Sequence, residues 1–322
     1  MTPAELPGLL QASPLVGNIQ PLEKSPWRGP AGAGLGVVAG TVAAMLAAGI
    51  VFVCFAVVAA TSGQDIEQAI NSVMESTAAT ATFGVAITAV ATIAFANAAL
   101  GYTLVAMAAL MVKQRLMIYI TAAPRFRWNH LLIGMAVTPI VFAPLAYVAV
   151  QLGLNIGADA RGPPILALTD GLGQQAIYLV ACVSLLVLAA SVEEVVFRGW
   201  LLRQITAWIG RPWIAALIAS VLFAAVHVPQ DITGWAALAL MGLSFSYMAL
   251  RLGGVEYAIG AHAAHNSMII LFLQPMSFDA TYPNVGMGDF LFTVVMCVGY
   301  VAFAEGLARR EARALVPVEA AF

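Results

Sequence analysis

Ser191-Val192-Glu193-Glu194-Val195-Val196-Phe197-Arg198-Gly199 closes an apolar run that begins near Gln174. Two adjacent carboxylates at the end of a membrane-grade helix are costly. An ionisable side chain inside a spanning segment marks a functional site whose partner should be named. On a helix, Glu194 and Arg198 lie four residues apart on one face and can pair. Glu193 points about 100° away from Glu194, because a helix turns once in roughly 3.6 residues. The spacing therefore predicts that Arg198 neutralises Glu194 and that Glu193 is left for chemistry.

The composition around this stretch fixes the class. The chain has 322 residues, 61% hydrophobic and 9% charged, against roughly 25% charged residues in a soluble domain. It reads as an all-α polytopic membrane helix bundle. The net charge of -2 and the absence of a basic cluster give no sign of a nucleic-acid partner. Cys54, Cys182 and Cys297 lie far apart in apolar runs, so neither a disulfide framework nor a cysteine metal site is indicated. Residues 1–30 carry Pro3, Pro7, Pro14, Pro21, Pro26 and Pro30 without a long apolar core. They read as an irregular cytosolic tail rather than a signal peptide, with Trp27 at the membrane surface.

About 20 apolar residues cross a bilayer as a helix. Such runs cover about 35–60, 81–112, 130–152 and 174–201, then 212–228, 235–250, 255–273 and 290–307. Asp65, Glu67 and Glu75 mark a polar amphipathic stretch after the first. Pro212 suits a helix start. Loops are expected at 155–173, at 229–234 and around Pro275, Asp279, Pro283 and Asn284. With an inner N-terminus, the inner segments hold 13 of the 14 Lys and Arg residues, counting Arg198 with the end of span four; the outer ones hold only Arg161. By the excess of basic residues on cytoplasmic loops, eight spans with both termini cytosolic fit. The expected segments are a tail (1–30), helices one to three (31–173), a catalytic core of helices four to seven (174–275), and helix eight with a short tail (276–322).

Ionisable groups within spans four, five and seven lie between residues 193 and 265. Span five ends in Phe223-Ala224-Ala225-Val226-His227, and span seven holds His262-Ala263-Ala264-His265-Asn266. His262 and Asn266 share a face. His265 is a neighbour of open role, and His130, beside Arg127 and Trp128, reads as an interfacial residue. Glu193 and His262 each lie roughly 15 Å from the basic edge and His227 roughly 20 Å, at about 1.5 Å per residue. The three can meet in one pocket, expected to open toward the cytosol.

A carboxylate and an imidazole flanking one water can deprotonate it for hydrolysis. A second imidazole and an amide N–H donor, His262 and Asn266, can stabilise an oxyanion. The alternative is zinc, with Glu193, His227 and His262 as three ligands and water as the fourth. The HExxH pattern is absent, so spacing does not favour a metal.

Glu193-Glu194-x-x-x-Arg198, Phe223-x-x-x-His227 and His262-x-x-x-Asn266, in that order, resemble the signature set of the CAAX prenyl endopeptidase and bacteriocin-processing (CPBP, or Abi) family of intramembrane proteases. Phe197-Arg198-Gly199 and Leu222-Phe223-Ala224 add to the likeness, which covers about Gln174 to Leu273. The resemblance implies an eight-helix membrane endopeptidase with a cytosol-facing cavity. It implies water activation by Glu193 and His227, oxyanion stabilisation by His262 and Asn266, and support from Glu194 and Arg198. The family is often labelled metalloprotease, and a metal-free glutamate mechanism is also argued for it; zinc therefore stays open. The implied partners are the bilayer and a peptide or protein substrate: a prenylated C-terminus, a leader peptide or a membrane-protein segment. Ala and Gly richness points to a bacterial gene and hence a plasma membrane. Two other classes remain: a non-proteolytic scaffold or immunity protein with the same fold, and a transporter using Glu193 for proton coupling. Spans one to three contain few polar groups, which argues against the transporter.

Overall fold

A computed structural model describes residues 10, 12–76, 82–152, 166, 169–229, 231–272 and 285–314. Pro3, Pro7, Arg161, Pro275, Asp279, Pro283 and Asn284, invoked for the tail and the outer loops, lie outside the described residues. The described chain is helical, with one isolated antiparallel bridge between Thr121 and Gly254. In order the helices are α1 (Arg28–Thr61), α2 (Ile66–Glu75), α3 (Phe83–Met111), α4 (Trp128–Gln151) and α5 (Leu172–Glu194). A π turn (Val195–Leu201) runs on into α6 (Leu202–Ile209), followed by α7 (Pro212–Val226), α8 (Ile232–Leu252), α9 (Glu256–Phe272) and α10 (Met287–Ala314).

Each apolar run of the sequence becomes a helix, and the polar stretch after the first becomes α2. Local chemistry sets the ends. Asp65 and Thr82 accept from the backbone N–H groups of Gln68 and Val85 at the starts of α2 and α3, satisfying donors that a helix leaves unpaired. Pro212 occupies the first turn of α7. Gly210 and Gly253 take left-handed conformations after α6 and α8, the usual helix stop.

Among the described residues, six helices are long and apolar enough to cross a membrane: α1, α3, α4, the continuous α5–α6, α8 and α10. The other two expected spans are α7 and α9. α7 has 15 residues and reaches roughly 22 Å, less than the hydrocarbon core of about 30 Å; α9 is described over 17 residues, up to the last described residue before 285. These two helices carry the histidine motifs.

α1 packs on α3, α3 on α5, α5 on α9 and α9 on α4, while α8 packs between α7 and α10. α9 is the axle: every residue from Glu256 to His265 is buried. α9 approaches α4 closely at Gly260, where a side chain would strike the backbone of Leu131 and Met135. The basic segments gather at one end of the bundle. There Arg203 pairs with Glu23, Arg127 with Glu256 and Arg251 with Glu305. His130 departs from its interfacial reading. It is fully buried, with Nε2 2.6 Å from Glu311 across the α4–α10 contact.

Candidate active site

The site is built where α5, α7 and α9 meet. Glu194 and Arg198 are both buried and form an ion pair of 3.0 Å, as the four-residue spacing predicts. The guanidinium lies 4.2 Å from the ring centre of Phe223, 5.4 Å from Phe245 and 5.9 Å from Phe197. Three aromatic rings thus surround the buried cation, an arrangement whose attraction grows as water is excluded. Phe223 was legible through its motif. Phe245, on α8, has no motif around it and was missed.

Glu194 has a second partner. Its Oε1 lies 2.8 Å from Nδ1 of the buried His262. One carboxylate oxygen therefore takes both Arg198 and His262, which joins α5 to α9. The paired carboxylate accepts, so Nδ1 of His262 donates and Nε2 is turned the other way.

His227 is the C-cap residue of α7 rather than a residue within it. Its Nδ1 lies 2.8 Å from the carbonyl oxygen of Phe223. A carbonyl only accepts, so Nδ1 carries the proton and the neutral ring leaves a bare lone pair on Nε2. The bond also satisfies one of the carbonyls that a helix C-terminus leaves unpaired.

Both Nε2 atoms face Glu193. Oε2 of Glu193 is 3.8 Å from Nε2 of His227 and 3.8 Å from Nε2 of His262. Neither contact is a hydrogen bond, and this buried Oε2 has no hydrogen-bond partner among the described residues. Buried polar atoms are nearly always partnered, and 3.8 Å is a separation that a water bonded at about 2.8 Å to both groups can bridge. Among the described residues no group of three or more His, Cys, Asp or Glu is arranged to hold a metal ion. The 3.8 Å separations exceed the edge of about 3.3 Å that zinc bonds of about 2.0–2.1 Å give a tetrahedron.

Asn266 is half-buried, one turn beyond His262, and makes no hydrogen bond to the described residues. His265 faces elsewhere: its Nδ1 meets the Tyr300 hydroxyl at 3.3 Å, a packing contact between α9 and α10. Ser191 bonds to the Tyr102 hydroxyl at 2.7 Å and to the Leu188 carbonyl.

The site is accessible at Glu193 and His227, whose side chains are 23% and 28% exposed. On the π turn, α8 and α9 the residues leading from the site to the basic end are packed together. Val195, Trp200, Ala249, Val255 and Ile259 form one buried layer with Tyr119 and Leu15. The expected opening toward the basic end is therefore filled among the described residues. Gly199 lies in this layer, so close to the Tyr119 carbonyl that no side chain fits.

Residues 175–268 match the family described as type II CAAX prenyl endopeptidase Rce1-like, a segment that runs past every candidate site residue. The resemblance carried by the three motifs is thereby borne out over that segment. The chain is also 26% identical over 181 residues to YyaK of Bacillus subtilis (strain 168), a protein described as uncharacterized. That match covers 51% of this chain and 60% of the relative's length. No solved structure matches the chain.

Proposed function

From an Rce1-like segment that closes three polar motifs around one gap, we propose that the chain is an intramembrane endopeptidase. The observation that carries this reading is the orphaned Oε2 of Glu193, facing two imidazole Nε2 atoms at 3.8 Å each.

A water in that gap is bonded to Glu193 and to the bare Nε2 of His227. Glu193 takes a proton as the water oxygen adds to the scissile carbonyl carbon, and the carbonyl electron pair moves onto its oxygen. The oxyanion accepts from Nε2–H of a doubly protonated His262 and from the Asn266 amide. Glu194, bonded to Nδ1 of the same ring, offsets that ring's charge, as charge-assisted hydrogen bonds do. On collapse the C–N bond breaks, and the proton held by Glu193 or passed to His227 goes to the leaving nitrogen. Preorganised donors of this kind contribute about 2.7–4 kcal/mol each where single ones have been removed.

The proposed path is metal-free. To hold zinc, Glu193, His227 and His262 would have to close up from their 3.8 Å separations, and the metal would then acidify the same water. The substrate is a peptide segment that reaches the bilayer, lipidated or plain. The basic end faces the cytosol by the charge rule, in a bacterial plasma membrane.

The test is hydrolysis of quenched peptides, prenylated and plain, by purified protein in detergent. Glu193→Ala and His227→Ala should each abolish cleavage, and a strong chelator should spare it. Cleavage lost to chelator and restored by zinc would replace the water mechanism with a zinc one. No cleavage by a folded preparation of any peptide would favour a scaffold role.

A further inference from the structure

The segment before α1 does not behave as a surface tail. Leu15 is 1% exposed and sits in the layer that backs the active site, while Val16 is buried against Leu202, Ile205 and Leu250. Ser13 donates its hydroxyl to the Leu250 carbonyl at 2.5 Å, at the end of α8. Arg203, two residues beyond the π turn and 1% exposed, spends its donors on this segment. It reaches both carboxylate oxygens of Glu23, the carbonyls of Leu15 and Asn18, and the Asn18 side chain. Gln204 donates to the Glu23 carbonyl at 2.7 Å. Glu23 itself is buried. A buried ion pair is weak evidence for stability, but five hydrogen bonds from one guanidinium to Leu15, Asn18 and Glu23 fix where this segment lies.

We propose that residues 13–25 are a resident plug, which closes the basic end of the site against water and leaves the edge beside His227 as its entrance. The proposal rests on the reading of Glu193, His227 and His262 as the active site. Two features are joined in it. The plug is anchored on the same continuous helix that carries Glu193 and Glu194, and its Leu15 fills the layer directly behind them. Withdrawing it would unseal that layer without touching a catalytic group.

The experiment reads thiol accessibility, which needs no catalysis, so its failure is separate from failure of the protease reading. In a Cys54→Ser background, Ala249→Cys places a thiol in the buried layer between plug and site. The native Cys297, 3% exposed, reports unfolding. A membrane-impermeant thiol reagent is added to protein in liposomes permeable to it on both faces. With the plug intact, Ala249→Cys should stay unlabelled. Glu23→Gln should raise its labelling at least tenfold, and the milder Ser13→Ala about threefold, with Cys297 protected throughout. Equal labelling in the intact chain would overturn the proposal, and so would continued protection in both released variants. Should Glu23→Gln expose Cys297 as well, Ser13→Ala decides by the same two outcomes.

Discussion

α1 and α9 are both apolar helices and play opposite parts. α1 has 34 residues, yet only 6% of its most apolar stretch is buried. It rests on α3 along one face, with Gly32, Gly36 and Gly40 buried there, and turns Leu35, Val38, Val42, Met45, Leu46 and Val53 outward. α9 is described over 17 residues and is buried on every side from Glu256 through His265. Hydropathy therefore ranks these helices by their contact with lipid, not by their contribution to the site. The polar groups of the candidate site, on the continuous α5–α6 and on α9, lie where protein surrounds most of them: Glu194, Arg198 and His262 are buried, the condition under which such groups are tolerated at membrane depth.

Four measurements press on this contrast. The largest effect is expected at the helix that α9 faces. Glu193→Gln should lower cleavage by about 10²–10⁴-fold, the scale of general-base catalysis, while the protein elutes and melts as wild type. A drop in melting temperature to match would make Glu193 a packing residue instead. Next comes the α5–α9 link. Arg198→Ala should cost about 3–5 kcal/mol, since it strands the buried Glu194 charge. Thermal unfolding in detergent would show it, and Arg198→Met with Glu194→Leu should restore most of the stability without restoring activity. Third, Gly260→Leu should cost about 1–3 kcal/mol by overpacking, because the backbone of α4 lies where the side chain must go; a neutral result would mean that α9 is not tightly held. The smallest effect belongs to α1. Val38→Ala, on its outward face, should fall within about 0.5 kcal/mol of wild type with unchanged cleavage, and a larger change would show that another surface covers that face.

Much of this arrangement was legible in the chain itself. Apolar run length located every long helix, and four-residue spacing predicted the Glu194–Arg198 pair. Motif order anticipated that Glu193, His227 and His262 would meet. What could not be read depends on how helices rotate against one another. Nothing local says that Nδ1 of His262, not Arg198 alone, shares Glu194, or that Phe245 of α8 closes over both. The same holds for His130, whose partner Glu311 lies 181 positions away. The burial of part of the irregular first segment stayed hidden for a different reason. Its prolines rule out a long helix, and irregular polar backbone reads as surface. Here that backbone supplies carbonyls to Arg203, so irregularity becomes a means of binding a buried cation.

The π turn at Val195–Leu201 falls between the two carboxylates and Arg203. An α-helix advances about 100° per residue, and a π turn fits an extra residue into its coil. The helix beyond it is thus set out of phase with the helix before it. One continuous rod thereby presents Glu194 to α9 at one level and Arg203 to the plug at another, in two rotational settings. A regular α-helix of the same sequence would be one gear, in which aligning the Glu194 face with α9 misaligns the anchor; the π turn makes it two gears on one shaft.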